Sequence, residues 1–202
     1  MIKLPVLVAL LAAIGMIGVA CGGGSGSSST PTATTATTGA SQTTGTSATQ
    51  AATRSAESDY FAKVAVIFTT GQTGSTAAND TLNTGLDAAQ TLDAKKTAIS
   101  NFLDTMIIVF DRATNDMSAL DRPSAAKDAH DLFMQDIQAA KQKSSDLKDQ
   151  LGGVTSDADL NAIVDQFNTE VDALVTDANK ACVSLQTLAD SDGITVNLDC
   201  GS

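Results

Sequence analysis

The chain has 202 residues, with 12 Lys+Arg against 23 Asp+Glu, a formal net charge of -11, one His, three Cys and 3% aromatics. That length holds one domain or two small ones. So acidic a chain lacks the basic face that displaces phosphate counterions, which argues against nucleic-acid binding, and a single histidine removes catalytic designs that need several.

Met1-Ile2-Lys3 is a short positive start, and Leu4 to Ala20 is an uncharged, almost wholly apolar run. A run of this length is normal for an export signal and lies at the lower edge for a bilayer-spanning helix. It ends Ile17-Gly18-Val19-Ala20-Cys21-Gly22. This ending resembles the bacterial lipoprotein signal, in which a small residue precedes a cysteine that is acylated and becomes the new N-terminus. Val19 and Ala20 fit that pattern, while Gly18 stands where a Leu-like residue is usual. The resemblance implies a signal peptide over 1–20, lipidation at Cys21 and a lipid-anchored protein on the extracytoplasmic face of the cell membrane. Cleavage there removes Lys3 and no acid, leaving 11 basic against 23 acidic side chains. Anionic headgroups repel such a chain. The acyl chains, at about 0.8 kcal/mol per buried methylene, are then what holds it at the membrane.

Gly22 to Ser55 is Gly, Ser, Thr and Ala except for Pro31, Gln42, Gln50 and Arg54. With no periodic apolar face, nothing offsets the entropy of ordering it. Residues 21–55 therefore read as the lipidated cysteine plus a disordered tether. A coil of this kind has an r.m.s. span of about 30–35 Å. Residues 56–202 read as the folded domain.

That domain reads as all-α, an up-down-up-down four-helix bundle with an extended, disulfide-linked C-terminal tail. The basis is apolar spacing that alternates between three and four residues, the seam of left-handed bundle packing. In the first helix, Phe61, Val64, Phe68, Gly71, Ser75, Ala78 and Leu82 keep it. Thr69 to Gly85 nevertheless holds three Gly and six Thr, all poor helix formers. Either one helix runs from about Ser58 to Asp87 or it breaks near Gly71–Gly74; the single helix is the expectation taken here. The second seam is Ile99, Leu103, Met106, Phe110, Ala113, Met117 and Leu120. The third is Ala126, His130, Phe133, Ile137, Ala140, Ser144, Leu147 and Leu151. The fourth is Leu160, Val164, Phe167, Val171, Leu174, Ala178, Ala181, Leu185 and Leu188. Pro123 suits the start of the third helix and Gly152-Gly153 its stop. Ser156 with Asp159 is a capping box for the fourth, and Gly193 closes it.

Cys21 is consumed by acylation, so Cys182 and Cys200 are the two remaining thiols, and an exported chain meets oxidising conditions. The tail from Gly193 to Cys200 is long enough to turn back beside the fourth helix. Ile194, Val196 and Leu198 alternate with polar residues, which suits an extended strip with one apolar side. A Cys182–Cys200 disulfide is therefore expected.

Candidate chemistry is sparse. His130 lies on the third seam between Asp128 and Asp131. A di-metal carboxylate bundle needs Glu-x-x-His, but Lys127 stands three before His130 and neither Glu57 nor Glu170 is near. For haem, Met134 shares its helix and cannot face it across the ring; Met106 or Met117 could. A histidine bonded to a neighbouring acid is the expected role, with no cofactor. Asp190, Asp192, Gly193 and Asp199 loosely fit a calcium loop, but Leu188 falls where its first carboxylate belongs. The small residues Gly71, Ser75 and Ala78 leave room for an apolar ligand unless Phe and Met of the second helix fill it. No nucleophile constellation, phosphate loop or zinc spacing is present. The expectation is a non-enzymatic interaction or structural module at the cell envelope, with a protein partner. The alternative is a binding protein for a small apolar ligand, metal or haem in the bundle interior.

Overall fold

Among the described residues, four helices form where the three-four spacing repeats. The computed structural model describes residues 44–200, with side chains from Ala52 onward. The signal segment 1–20, Cys21 and the spacer as far as residue 43 lie outside the described residues. Helix α1 is Thr44–Ala88, α2 Leu92–Ser118, α3 Lys127–Leu151 and α4 Asp157–Ser191. A single 3-10 turn, Ser124–Ala126, leads into α3. Among the described residues there is no strand, so the domain is all-α.

Helix α1 corrects the tether boundary. Residues 44–55 are helical, although the composition of Gly22–Ser55 reads as structureless. The reason is cooperative: once a packed segment nucleates a helix, each added residue contributes one hydrogen bond for little further entropy, and Ala48, Ala51 and Ala52 propagate well. One side chain of this stretch also docks. Arg54 Nη2 donates to the Asp192 carbonyl at 3.0 Å, capping the negative end of α4. Arg54→Ala is expected to lower stability by about 0.5–1 kcal/mol in a urea titration. An unchanged midpoint would show that this exposed bond contributes nothing.

The same helix runs without a break through Gly71–Gly74, as expected. Four of its threonines are satisfied internally: Thr69, Thr73, Thr81 and Thr84 each donate to the carbonyl four residues earlier, at 2.8–2.9 Å. Its glycines do different work. A Cβ on Gly74 would lie 2.8 Å from Val109 Cγ2, and one on Gly85 would lie 3.0 Å from Ala98 Cβ, so both mark close approach of α2. A Cβ on Gly71 would meet nothing within 4 Å. Gly71→Ala is therefore expected to stabilise by about 1 kcal/mol through helix propensity. Gly74→Ala has the same propensity gain opposed by overpacking of about 1–3 kcal/mol against a stiff β-branched side chain. Its urea midpoint should fall or stay level while that of Gly71→Ala rises; equal gains would mean that Val109 yields freely.

The boundaries follow local chemistry. Thr91 accepts from the Ala94 N–H and starts α2. Pro123, in extended backbone, precedes the 3-10 turn. Ser156 Oγ accepts from the Asp159 N–H at 3.1 Å, while the Ser156 and Thr155 hydroxyls donate to the Asp159 carboxylate, holding it below its ordinary pKa. Gly152 and Gly153 stop α3 without a left-handed residue: successive bonds reach back three residues, from Gly152 to Asp149, Gly153 to Gln150 and Val154 to Leu151. Gly193 closes α4 at φ +66°. Its N–H bonds the Asp190 carbonyl, and the Ile194 N–H bonds that of Ala189 at 2.8 Å. This is the double-bonded glycine stop that needs a left-handed residue.

Beyond Gly193 the tail runs back along α4, as the alternation predicts: Ile194 and Leu198 are buried and Thr195 and Asn197 exposed. Cys182 and Cys200 form a disulfide, with Cα atoms 5.5 Å apart. An extended segment beside a helix has backbone groups without a ladder partner. Gln186 supplies two: its Nε2 donates to the Val196 carbonyl at 2.9 Å and its Oε1 accepts from the Leu198 N–H at 2.8 Å.

Helix α1 packs on α2, α2 on α3 and α3 on α4. Buried side chains fall into two clusters. One joins Leu82, Phe102, Leu103, Leu147, Leu160 and Phe167 with their neighbours. The other joins Tyr60, Phe61, Val64, Met117, Leu185 and Leu198 with theirs. Most predicted seam residues are buried in one or the other.

Candidate functional site

Eight of the seam positions are only half-buried. Leu120 and Leu188 pack against the cluster around Tyr60. The other six, Gly71 of α1, Phe110 and Ala113 of α2, Phe133 of α3, and Leu174 and Ala178 of α4, line one cavity. Small side chains from several helices coincide at that level, so facing residues cannot fill the space. The cavity has a volume of about 80 Å³. That is roughly half of the ~150 Å³ apolar void that accommodates benzene. Ile67, Met106, Val109 and Ile137 complete much of an apolar wall, and the Cys182–Cys200 disulfide with Asp199 lies at its border. Of the three small residues singled out in the sequence, Gly71 and Ser75 line the cavity, whereas Ala78 sits in the neighbouring core cluster. Met106 and Phe110 of the second helix reach this level and do not close it.

Asp136 is the unexpected member of the wall. It is 7% exposed, and its Oδ2 has no hydrogen-bond partner. Burial, reinforced by the charge of Asp177, pushes its carboxyl above the ordinary aspartate range. The other buried polar atoms without partners among the described residues are Asn79 Oδ1, Thr114 Oγ1 and Asn168 Nδ2, and none of those residues lines the cavity. Composition gave no reason to select Asp136 from 21 aspartates. A signal existed, since Asp136 is three residues after Phe133 and four before Ala140, a spacing compatible with the seam. The adjacent Ile137 satisfies the seam alone and masks it.

His130 is buried, but its partner is not an acid, which corrects the sequence reading. Its Nδ1 shares a 3.0 Å hydrogen bond with the hydroxyl of Tyr60 on α1. Asp131 turns instead to Arg122 and Lys127. Burial, with help from Arg122, holds the imidazole below its ordinary pKa, and burial pushes the Tyr60 phenol up to about 12. The pair is a neutral interhelical tie. Met106 lines the central cavity, and Met117 belongs to the core cluster around Tyr60.

Asp190, Asp192, Gly193 and Asp199 do not form a cation loop. Asp190 accepts from Gln186, Gly193 serves the helix stop, and Asp199 is in the tail at φ +50° with its N–H bonded to the Asn197 side chain. Among the described residues no group of three His, Cys, Asp or Glu side chains converges as a metal site requires. Nor, among them, is any helix long and apolar enough to cross a membrane. Comparison of the chain with protein-family models, with curated proteins and with solved structures finds no match.

Proposed function

We propose that this protein is a lipid-anchored, non-enzymatic binding module of the extracytoplasmic membrane face, which takes a small apolar ligand into the cavity between its helices. The single observation that carries the ligand reading is the cavity itself: six seam positions on four helices stay half-buried at one level, where close packing is the default. The anchor reading rests on the Ile17–Cys21 sequence and its resemblance to a lipoprotein signal. The helices are proposed to run up-down-up-down. Lys141 pairs with Asp111 and Lys148 with Asp104, so numbers rise on α3 as they fall on α2. Gly74 faces Val109 and Gly85 faces Ala98 in the same opposed sense.

The ligand reading is tested with the chain from Gly22 to Ser202, which carries the whole described core, and n-butanol as probe. Saturable shifts of the Ile67 and Leu174 methyl NMR signals are expected, and Ala178→Phe should abolish them by filling the space. Shifts that persist in the filled variant would place the probe elsewhere and end this reading. For the anchor, Cys21→Ala should release the protein from membranes or leave an unprocessed precursor. Unchanged processing and membrane retention would exclude lipidation at Cys21.

A further inference from the structure

We propose that the ligand is a small organic cation, an aliphatic amine whose alkyl body fills the cavity and whose ammonium group rests on the Asp136 carboxylate. The inference rests on the ligand-binding reading above and adds the chemistry of the ligand's polar end. Three observations support it. Asp136 lines the cavity while 7% exposed, and its Oδ2 has no donor from the protein. A buried carboxylate without a partner is rare, because removing it from water costs far more than burying an apolar group of equal size. No donor of the fold offsets that cost, and a cationic partner from outside would.

The surrounding charge selects the sign of that partner. No lysine or arginine lines the cavity, and its other acid is Asp199. Asp177 adds negative potential at Asp136 from α4. The nearby lysines are engaged: Lys141 pairs with Asp111 at 2.5 Å and Lys180 with Asp177 at 2.7 Å. A cation entering here gains from each acid, whereas an anion meets only repulsion. An ammonium donates up to three hydrogen bonds, and a charge-assisted bond to a carboxylate is about twice as strong as a neutral one. Water is a poor substitute, since a buried water needs two to four polar partners and most of this wall is apolar.

The size of the ligand follows from the space. At about 80 Å³ the cavity suits a body of a few carbon atoms rather than a long acyl chain. Leu174, Val175, Ala178 and Asn179 of α4 are only half-buried, so that side offers an entry path.

The test uses the Gly22–Ser202 chain with three probes of equal length: n-butylammonium, n-butanol and butyrate. Binding is read from the methyl shifts of Ile67, Val109 and Leu174 at neutral pH. Butylammonium is expected to bind at least about tenfold more tightly than n-butanol, and butyrate not measurably. Asp136→Asn should remove the preference for the cation, so that n-butylammonium binds this variant no more tightly than n-butanol binds the same variant, and its intact fold is checked by unchanged helical circular dichroism. Equal binding of butylammonium and n-butanol would overturn the cation assignment while leaving the apolar cavity reading in place. A preference that survives in Asp136→Asn would overturn the role of Asp136. If n-butanol itself produces no saturable shift, the cavity reading fails, and this inference fails with it.

Discussion

Breaking the Cys182–Cys200 bond, by reductant or as Cys200→Ser, is expected to lower stability by about 3 kcal/mol. The sequence separation is 18 residues, and closing a loop of that size restricts the unfolded chain by this amount in the chain-entropy model. In a domain of this size the melting temperature should drop by roughly 6–12 °C. The helices should persist, because Gln186 still holds the Val196 and Leu198 backbone and the Gly193 stop is untouched. The reduced protein is thus expected to keep its helical circular dichroism and lose midpoint in urea. Ile194 and Leu198 belong to the cluster around Tyr60 and Phe61, so fraying of the tail would add to the loss. Both cysteines also border the cavity, so n-butanol binding should weaken in the same sample. An identical midpoint with and without reductant, with alkylation verifying two free thiols, would show that the tail is held without the bridge.

Replacing Asp136 should have the opposite sign. Asp136→Leu removes a buried carboxyl without a partner and adds apolar volume at the cavity wall, and is expected to stabilise by about 1–3 kcal/mol at neutral pH. Asp136→Asn should stabilise less, since an unpartnered amide remains. The pH dependence follows from the raised folded pKa. Between the ordinary value near 3.8 and the folded value, the native state binds more protons than the unfolded chain. Wild-type stability from this group therefore rises as pH falls through that window, and is constant below it. The advantage of Asp136→Asn over wild type should be largest at neutral pH and shrink on acidification. His130 contributes with the other sign: its folded pKa is depressed, so its contribution is lost as pH falls below the ordinary histidine range. It is present in both proteins and cancels in their difference. Chemical denaturation of the two at matched pH from neutral to about 4 gives that difference directly. A less stable Asp136→Asn at neutral pH would mean that the carboxylate has an internal partner, and that its place in the wall is structural.

A buried carboxyl whose Oδ2 has no hydrogen-bond partner sets Asp136 apart from every motif-based candidate in this chain. The motif-based candidates were local by construction. His130 reads from its neighbours as a histidine bonded to an acid, because Asp128 and Asp131 flank it in sequence. Its partner is Tyr60, 70 residues away. Arg54 reads as one polar residue in a spacer, yet it caps a helix that ends 138 residues later at Asp192. In each case the partner belongs to another helix, and no spacing along one helix names it.

The amino-acid sequence by itself determined the helices, most of their core faces and the cysteine pair. Helical period is a local property, so three-four spacing is enough to pick out Leu103, Leu147 and Val164 as core. Two cysteines joined by a tail of sufficient reach are enough to point to the Cys182–Cys200 pair that the structure contains. Gly71 and Ser75 could even be named as a place where volume is short. What only the tertiary structure decided is whether that shortage is made up. Void volume depends on which residues of four helices share one level, and Ala113, Phe133 and Ala178 line the same cavity as Gly71 without filling it. The same stacking buries one aspartate among 21, because whether a residue flanking the seam is covered depends on the neighbouring helices as well as on its own period.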